Sequence, residues 1–218
     1  MRLQNPEAVF FDWDGTLVDT FPLLYNAYNH TRQTLGHKPW SVQEARKNIR
    51  LSGRDAFPVI FGEQAGKASD IYYEYVRSHH LDDLKTQEGA NKLLENIAAR
   101  NIPIGVISNK KHDILLSEIE SLGWHEFFAT VIGAGKADKD KPDSAPVFLA
   151  LEEINQKAGE HIWYIGDTSE DMHCAKISGV KAIFVANGFG THGELESLQN
   201  ILKIENLLDL CEVMAVFD

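Results

Sequence analysis

The stretch Ala8-Val9-Phe10-Phe11-Asp12-Trp13-Asp14-Gly15-Thr16-Leu17-Val18-Asp19-Thr20 decides the fold. A short apolar run closed by a glycine turn reads as a buried strand of a parallel sheet. This one runs into two aspartates separated by one residue. In open α/β sheets, ligands bind beyond the carboxyl ends of the strands. Residues i and i+2 of a strand point to the same side, so Asp12 and Asp14 are expected to face one site. Carboxylates that close repel, and both ionise readily only beside a cation. The pair points to a divalent metal, to a nucleophile with an acid/base partner, or to both. An isolated Asp-x-Asp is more often a turn or helix-cap feature, so the rest of the chain has to decide.

The chain has 218 residues, enough for one large domain or for one domain carrying an inserted smaller one. Lys and Arg number 21 against 32 Asp and Glu, a net charge of −11. An acidic chain repels nucleic acid and anionic membrane surfaces, so neither is an expected partner. An anionic substrate would need a local positive site, from a metal or a few Lys and Arg. Cys174 and Cys211 form neither a disulfide framework nor a zinc spacing. The N-terminal apolar run is too short for a signal peptide, and no segment approaches the roughly 18 apolar residues of a membrane span. A cytoplasmic, reducing location is expected. Oligomeric state is not legible.

Five runs read as buried strands: 8–12, 104–108, 129–132, 162–165 and 182–186. Helical spacing marks 90–99, 114–122 and 145–154, with Gly123 placed to stop the second. Strand–helix alternation predicts an α/β fold with a Rossmann-like parallel sheet. Between the first two strands lies a long stretch with no strand signal, far more than the roughly 30 residues of a whole βαβ unit. It reads as an inserted α-helical cap over 21–84, with the core made of 1–20 and 85–218. Its place directly after the aspartate pair suggests a lid over the site.

Four signals fall at expected strand ends, in order. They are Asp12 with Asp14, Ser108-Asn109-Lys110, Lys141-Pro142, and Gly166-Asp167-Thr168-Ser169-Glu170-Asp171. Together they offer oxygen ligands for a hard cation, plus a hydroxyl and an ammonium for phosphate oxygens. That set suits phosphoryl transfer, where catalysis is mainly positioning and charge neutralisation. Singly, each has a plain explanation. Ser108-Asn109 could cap a helix, Lys141-Pro142 could be a solvated loop, and Gly166-Asp167 could be a turn. All four in this order by chance is a poor explanation.

In these motifs the chain resembles the haloacid dehalogenase superfamily, in its phosphatase branch with a helical cap, and most of all the phosphoglycolate phosphatases. The resemblance spans nearly the whole chain. It implies a Mg²⁺-dependent phosphomonoester hydrolase acting on a small phosphate ester. By that resemblance Asp12 is the nucleophile, Asp14 the acid and then the base, and Ser108 a hydrogen-bond donor to the phosphoryl oxygens. Lys141, chosen over Lys139 because the family places a Lys-Pro junction there, neutralises phosphate charge and steadies Asp12. Asp12, Asp167 and the backbone carbonyl of Asp14 would ligate Mg²⁺, with Asp171 supporting it from close by. Thr16 and Asn109 would help orient the phosphate. Arg50 and Arg54, in a loop-like cap stretch with Ser52 and Gly53, could pair with a substrate carboxylate such as that of 2-phosphoglycolate. A solvated helix end explains them equally well.

Several alternatives stay open. Asp14 argues against the dehalogenase and phosphonatase branches, which lack that acid. Leu24 stands where β-phosphoglucomutases typically carry a cap-hinge histidine, which lowers the mutase reading. Pyrophosphatase and nucleotidase activities remain, because relatives with similar motifs act on both substrates. A non-catalytic binding module would have no need to retain Asp12, Asp14, Ser108, Lys141 and Asp167 together. Gly188-Phe189-Gly190-Thr191-His192-Gly193 matches a dinucleotide fingerprint in form but lacks the following βαβ unit. It reads as a flexible loop closing the sheet edge. His79-His80 reads as a helix end, and Cys174 as packing.

Overall fold

The computed structural model describes residues 5–186 and 201–215. In chain order the strands are β1 (Ala8–Phe11), β2 (Val18–Asp19), β3 (Lys85–Thr86), β4 (Ile104–Lys111), β5 (Phe128–Ala134), β6 (Ile162–Gly166), β7 (Lys181–Val185) and β8 (Leu202–Ile204). Six of them form one sheet in the order β5-β4-β1-β6-β7-β8, and every neighbouring pair is parallel. The helices are α1 (Phe21–Thr34), α2 (Val42–Asn48), α3 (Gly53–Phe61), α4 (Ala65–His79), α5 (Ala90–Ala99), α6 (His112–Ser121), α7 (Ala145–Glu153), α8 (Ser169–Ser178) and α9 (Leu207–Ala215).

The continuous apolar run of β1 follows from burial on both faces of the sheet. Val9 and Phe11 pack with Leu93, Leu94 and Ile97 of α5, Leu115 and Ile119 of α6, and Leu207 and Leu210 of α9. Ala8 and Phe10 face the other way, toward Val147 and Leu151 of α7 and Met172 and Ala175 of α8. The strand is central, with β4 on one side and β6 on the other. The chain visits those two neighbours in separate excursions, so a crevice opens at the carboxyl end of β1. Such a switch point is where parallel sheets of this kind hold ligands.

Helices α1 to α4 lie between β2 and β3, which pair antiparallel over two residues. They have an apolar cluster of their own, including Leu24, Tyr28, Phe57, Phe61, Tyr72 and Val76, and Ile114 of α6 joins it. Ser41 and Glu44 form a capping box that starts α2, satisfying two backbone donors at once. Contacts between these helices and the sheet side are polar as well: Arg77 meets Asp113 at 2.9 Å and Arg54 meets Asp140 at 2.9 Å.

The structure departs from the sequence expectations at several places. Strands β2, β3 and β8 fall where no strand was expected. Two or three residues are too few to show alternation, and backbone ladders define these strands. The first strand stops at Phe11, so Asp12 and Asp14 are brought together by a turn rather than by the pleat; Asp14 makes an isolated bridge to Val18. Strand β4 continues through Ser108, Asn109 and Lys110, with a register irregularity between Ile107 and Lys111, so Ser108 and Asn109 cap no helix. Helix α6 begins at His112, two residues before the expected start. The loop expected at 188–193 lies outside the described residues. Among the described residues, no helix is long and apolar enough to cross a membrane.

Leu94 is fully buried between α5 and the sheet. Leu94→Ala should cost about 2–5 kcal/mol through lost transfer energy and the cavity left behind. A urea unfolding curve with a lower midpoint and an unchanged slope is the expected result.

Candidate active site

At the carboxyl end of β1 the backbone turns sharply. Gly15 sits at φ +90°, and a Cβ there would lie 2.5 Å from Oδ2 of Asp167. Glycine is required on both counts. The turn sends Trp13 away from its two aspartate neighbours into the core. Trp13 is fully buried, packs edge-on against Trp124 and donates to Glu118 Oε2 at 2.6 Å. Asp12 and Asp14 instead line a cavity of about 80 Å³ between the sheet and helices α1 to α4.

Lys141 holds the floor of this cavity. Its Nζ donates to Asp12 Oδ1 at 2.6 Å, to Asp171 Oδ1 at 2.7 Å and to the carbonyl of Ile107 at 2.9 Å. Burial works against the lysine's charge, but the carboxylates of Asp12 and Asp171 outweigh it and hold its pKa above the usual lysine range. Asp12 is pushed well above the carboxylate range. Burial is the main cause, Asp171, Asp167 and Asp14 add to it, and Lys141 only partly offsets them. Both groups are buried, and around them carboxylates outnumber the one ammonium.

Asp12, Asp167 and Asp171 can each bring a carboxylate oxygen within 4.8 Å of the others. Three carboxylates against one ammonium leave two surplus negative charges, and the donor set is all oxygen. Both properties fit a hard divalent cation. The three are not equivalent. Asp171 Oδ1 already accepts from Lys141 and Tyr164, and its Oδ2 accepts from the backbone and hydroxyl of Thr168 in the capping box of α8. That saturation suits a supporting role. Asp167 accepts from Thr16 Oγ1 at 3.0 Å and is fully buried.

The other expected residues fall as follows. Ser108 lines the cavity, and its Oγ accepts from the backbone of Lys110. Asn109 lines it too, but its side-chain amide is engaged with the backbone of Lys141 and Arg50. Thr16 binds Asp167 and is not among the lining residues. Arg50 lines the cavity and reaches Ser169 Oγ at 2.8 Å, whereas Arg54 lies outside it, paired with Asp140.

Comparison with known proteins fits this geometry. The family model of the haloacid dehalogenase-like hydrolases matches residues 9–185. The chain belongs to that family. It is 27% identical over 219 residues to a phosphoglycolate phosphatase of Chromobacterium violaceum, covering 96% of this chain and 98% of that protein. It is 26% identical over 208 residues to the pyrophosphatase PpaX of Listeria welshimeri, covering 95% of each. A solved haloacid dehalogenase-like hydrolase from Streptococcus pneumoniae superposes with a TM-score of 0.83 at 26% identity, over 97% of this chain and 98% of the other. This haloacid dehalogenase-like protein is thus a hydrolase of the phosphatase kind.

Sequence reasoning missed Lys110, Glu118 and Thr20 as parts of the site. Lys110 Nζ lies 2.6 Å from Asp14 Oδ1 and 2.7 Å from Glu118 Oε2, and Thr20 Oγ1 donates to Asp14 Oδ1 at 2.5 Å. The missed signal was a glutamate within the apolar stripe of α6, beside Ile114, Leu115 and Ile119. It also missed the wall of Tyr28, Tyr72 and Tyr73.

Cys174 is buried, and burial is the main cause that pushes its thiol up to about 12. Cys211 is only partly buried. Since the thiolate is the reactive form, a disulfide-exchange reagent at neutral pH should label Cys211 alone in the folded protein and Cys174 only after denaturation. Early labelling of Cys174 would refute its role as packing.

Proposed function

We propose that this hydrolase cleaves small phosphomonoesters with Mg²⁺, through an aspartyl-phosphate on Asp12, and that its preferred substrate carries a carboxylate, as 2-phosphoglycolate does. One observation carries the reading: Asp12, held by Lys141, adjoins Asp167 and Asp171 on one side and lines a common cavity with Asp14 on the other. A nucleophile and an acid therefore border one small volume, with the candidate cation site adjoining the nucleophile.

In this mechanism Asp12 attacks phosphorus, and the bond to the leaving oxygen breaks with its electron pair on that oxygen. Asp14 supplies the proton to the leaving alkoxide. It then takes a proton from the water that attacks the aspartyl-phosphate, releasing inorganic phosphate. Lys141 keeps Asp12 aligned and neutralises phosphate charge, and Ser108 donates to a phosphoryl oxygen. Asp12, Asp167 and the Asp14 carbonyl would hold Mg²⁺, with Asp171 in support. The cation supplies Lewis-acid neutralisation of the phosphoryl group. Helices α1 to α4, over 21–84, serve as a lid on the core of 1–20 and 85–218, and exclude water during the reaction.

The substrate preference is supported by the walls. Leu24, Tyr28, Ile49, Tyr72 and Val76 make an apolar and aromatic enclosure of small volume, and Arg50 lines it with its guanidinium beside Ser169 and Glu170. An Arg pairs bidentately with a carboxylate. Leu24 offers no acid or base, which disfavours a mutase. The pyrophosphatase reading is kept alongside because a relative bears that name. Phosphate release should be measured with Mg²⁺ on 2-phosphoglycolate, pyrophosphate, β-glucose 1-phosphate and nucleoside monophosphates. A clear preference for 2-phosphoglycolate supports the reading. Equal turnover of a generic ester, or faster turnover of pyrophosphate, overturns the substrate assignment.

Two variants test the chemistry. Asp12→Asn should lower turnover by roughly 10³-fold or more while the circular dichroism spectrum stays native. Asp167→Asn should abolish the rise in melting temperature that Mg²⁺ gives the parent protein, since a cation that binds only the folded state stabilises it. Retention of that rise would remove Asp167 from the cation site.

A further inference from the structure

Glu118 is fully buried on helix α6, on a face otherwise apolar. It accepts from Lys110 Nζ at 2.7 and 2.9 Å and from Trp13 Nε1 at 2.6 Å. His80, at the end of α4, approaches it at 3.3 Å. Lys110 in turn spans from Glu118 to Asp14, with Nζ 2.6 Å from Oδ1. Thr20 Oγ1 donates to that same oxygen. The nearest approach of Lys110 and the hydrogen bond from Thr20 thus both fall on Oδ1 of Asp14.

A buried ion pair is costly to form, and replacing one with apolar residues is often neutral or stabilising. Packing alone does not explain this one. Its cationic end opens on the cavity, and its anionic end is fastened to Trp13, the residue between the two aspartates. The pair therefore grips the Asp12–Asp14 turn from the core side and the Asp14 carboxylate from the cavity side.

We propose that Lys110 and Glu118 are positioning residues for leaving-group protonation: they pin Oδ1 of Asp14 and so present Oδ2 to the departing oxygen. This rests on the reading of Asp14 as the acid. In that step a bond forms between Asp12 and phosphorus, and the bond from phosphorus to the leaving oxygen breaks. The electron pair stays on the leaving oxygen, and the proton passes to it from Oδ2 of Asp14. Glu118 touches no reacting atom. It acts by holding Lys110 and Trp13 in place.

The test is the dependence of kcat/KM on the leaving group, a property that general destabilisation would not change. The probes are phenyl phosphate, p-nitrophenyl phosphate and 2,4-dinitrophenyl phosphate, with Mg²⁺ and the full chain. The dinitrophenolate departs without a proton, whereas phenolate benefits from one. The variant Lys110→Met/Glu118→Gln removes the cation and its buried counter-charge together, so neither is stranded. It should lose about tenfold or more on phenyl phosphate and under about threefold on the dinitrophenyl ester. In an Asp14→Asn background the same two changes should add no further selectivity, because they act through that carboxylate. Should the double variant fail to fold, Glu118→Gln alone carries the same expectation.

Two results overturn the proposal, and they are distinguishable. If Asp14→Asn itself leaves the leaving-group dependence unchanged, the acid assignment falls and the positioning role falls with it. If Asp14→Asn steepens the dependence but the Lys110 and Glu118 variants slow all three esters equally, only the positioning role falls.

Discussion

Lys141 is the constraint on which the site depends. Its ammonium sits out of water, between Asp12 and Asp171 and against the carbonyl of Ile107. One lysine thereby ties together three neighbouring segments: Asp12 after β1, Ile107 within β4, and Asp171 in the first turn of α8, which follows β6. Without it, Asp12, Asp167 and Asp171 would press three carboxylates into one buried volume. Breaking such a pair by removing one partner typically costs about 3–5 kcal/mol. The charge balance remains negative even so, and this adds to burial, the main cause that holds Asp12 above its ordinary range. A buried excess of this kind costs stability, and such costs cluster at functional sites.

The sheet supplies the geometry that makes this possible. Because β1 is flanked by β4 and β6, their loops converge from both sides on the turn that follows it. Gly166 belongs to the same logic. A Cβ at that position would lie 2.4 Å from the Cβ of Asp171, so only glycine lets α8 begin close enough for Asp171 to reach Lys141. Backbone close approach and side-chain charge are thus set at the same few residues.

Much of this could be read from the chain alone. The apolar runs of β1 and β6 and the aspartates that follow them announced a parallel sheet with carboxylates gathered beyond its strand ends. The 21–84 stretch announced its helices by the lack of any strand pattern. What escaped was of two kinds. Strands of two or three residues, β2, β3 and β8, have no periodicity to detect, and only their ladders define them. The Lys110–Glu118 pair joins residues eight positions apart on a strand and a helix, and the glutamate in the apolar stripe of α6 gave no hint of which cation it meets. The strand was expected to end at Ser108, with Ser108-Asn109 a possible helix cap, yet it runs on to Lys111. The run Ser108-Asn109-Lys110 stays extended because each of its side chains meets a partner from elsewhere or from the neighbouring backbone.

The narrow ribbon of β2 and β3 has a mechanical meaning. All of α1 to α4 enters and leaves through it, over two residue pairs. The same ribbon is stitched to the Asp14 turn. Gly15 donates its N–H to Val18, and Gln87 donates its backbone N–H to Leu17 and its side-chain amide to Gly15. Two residue pairs make a narrow tether, and a swing of α1 to α4 about it would twist the segment that carries Asp14. On the proposed mechanism, admission of substrate and alignment of the proton donor would then be coupled as a lever is to its fulcrum.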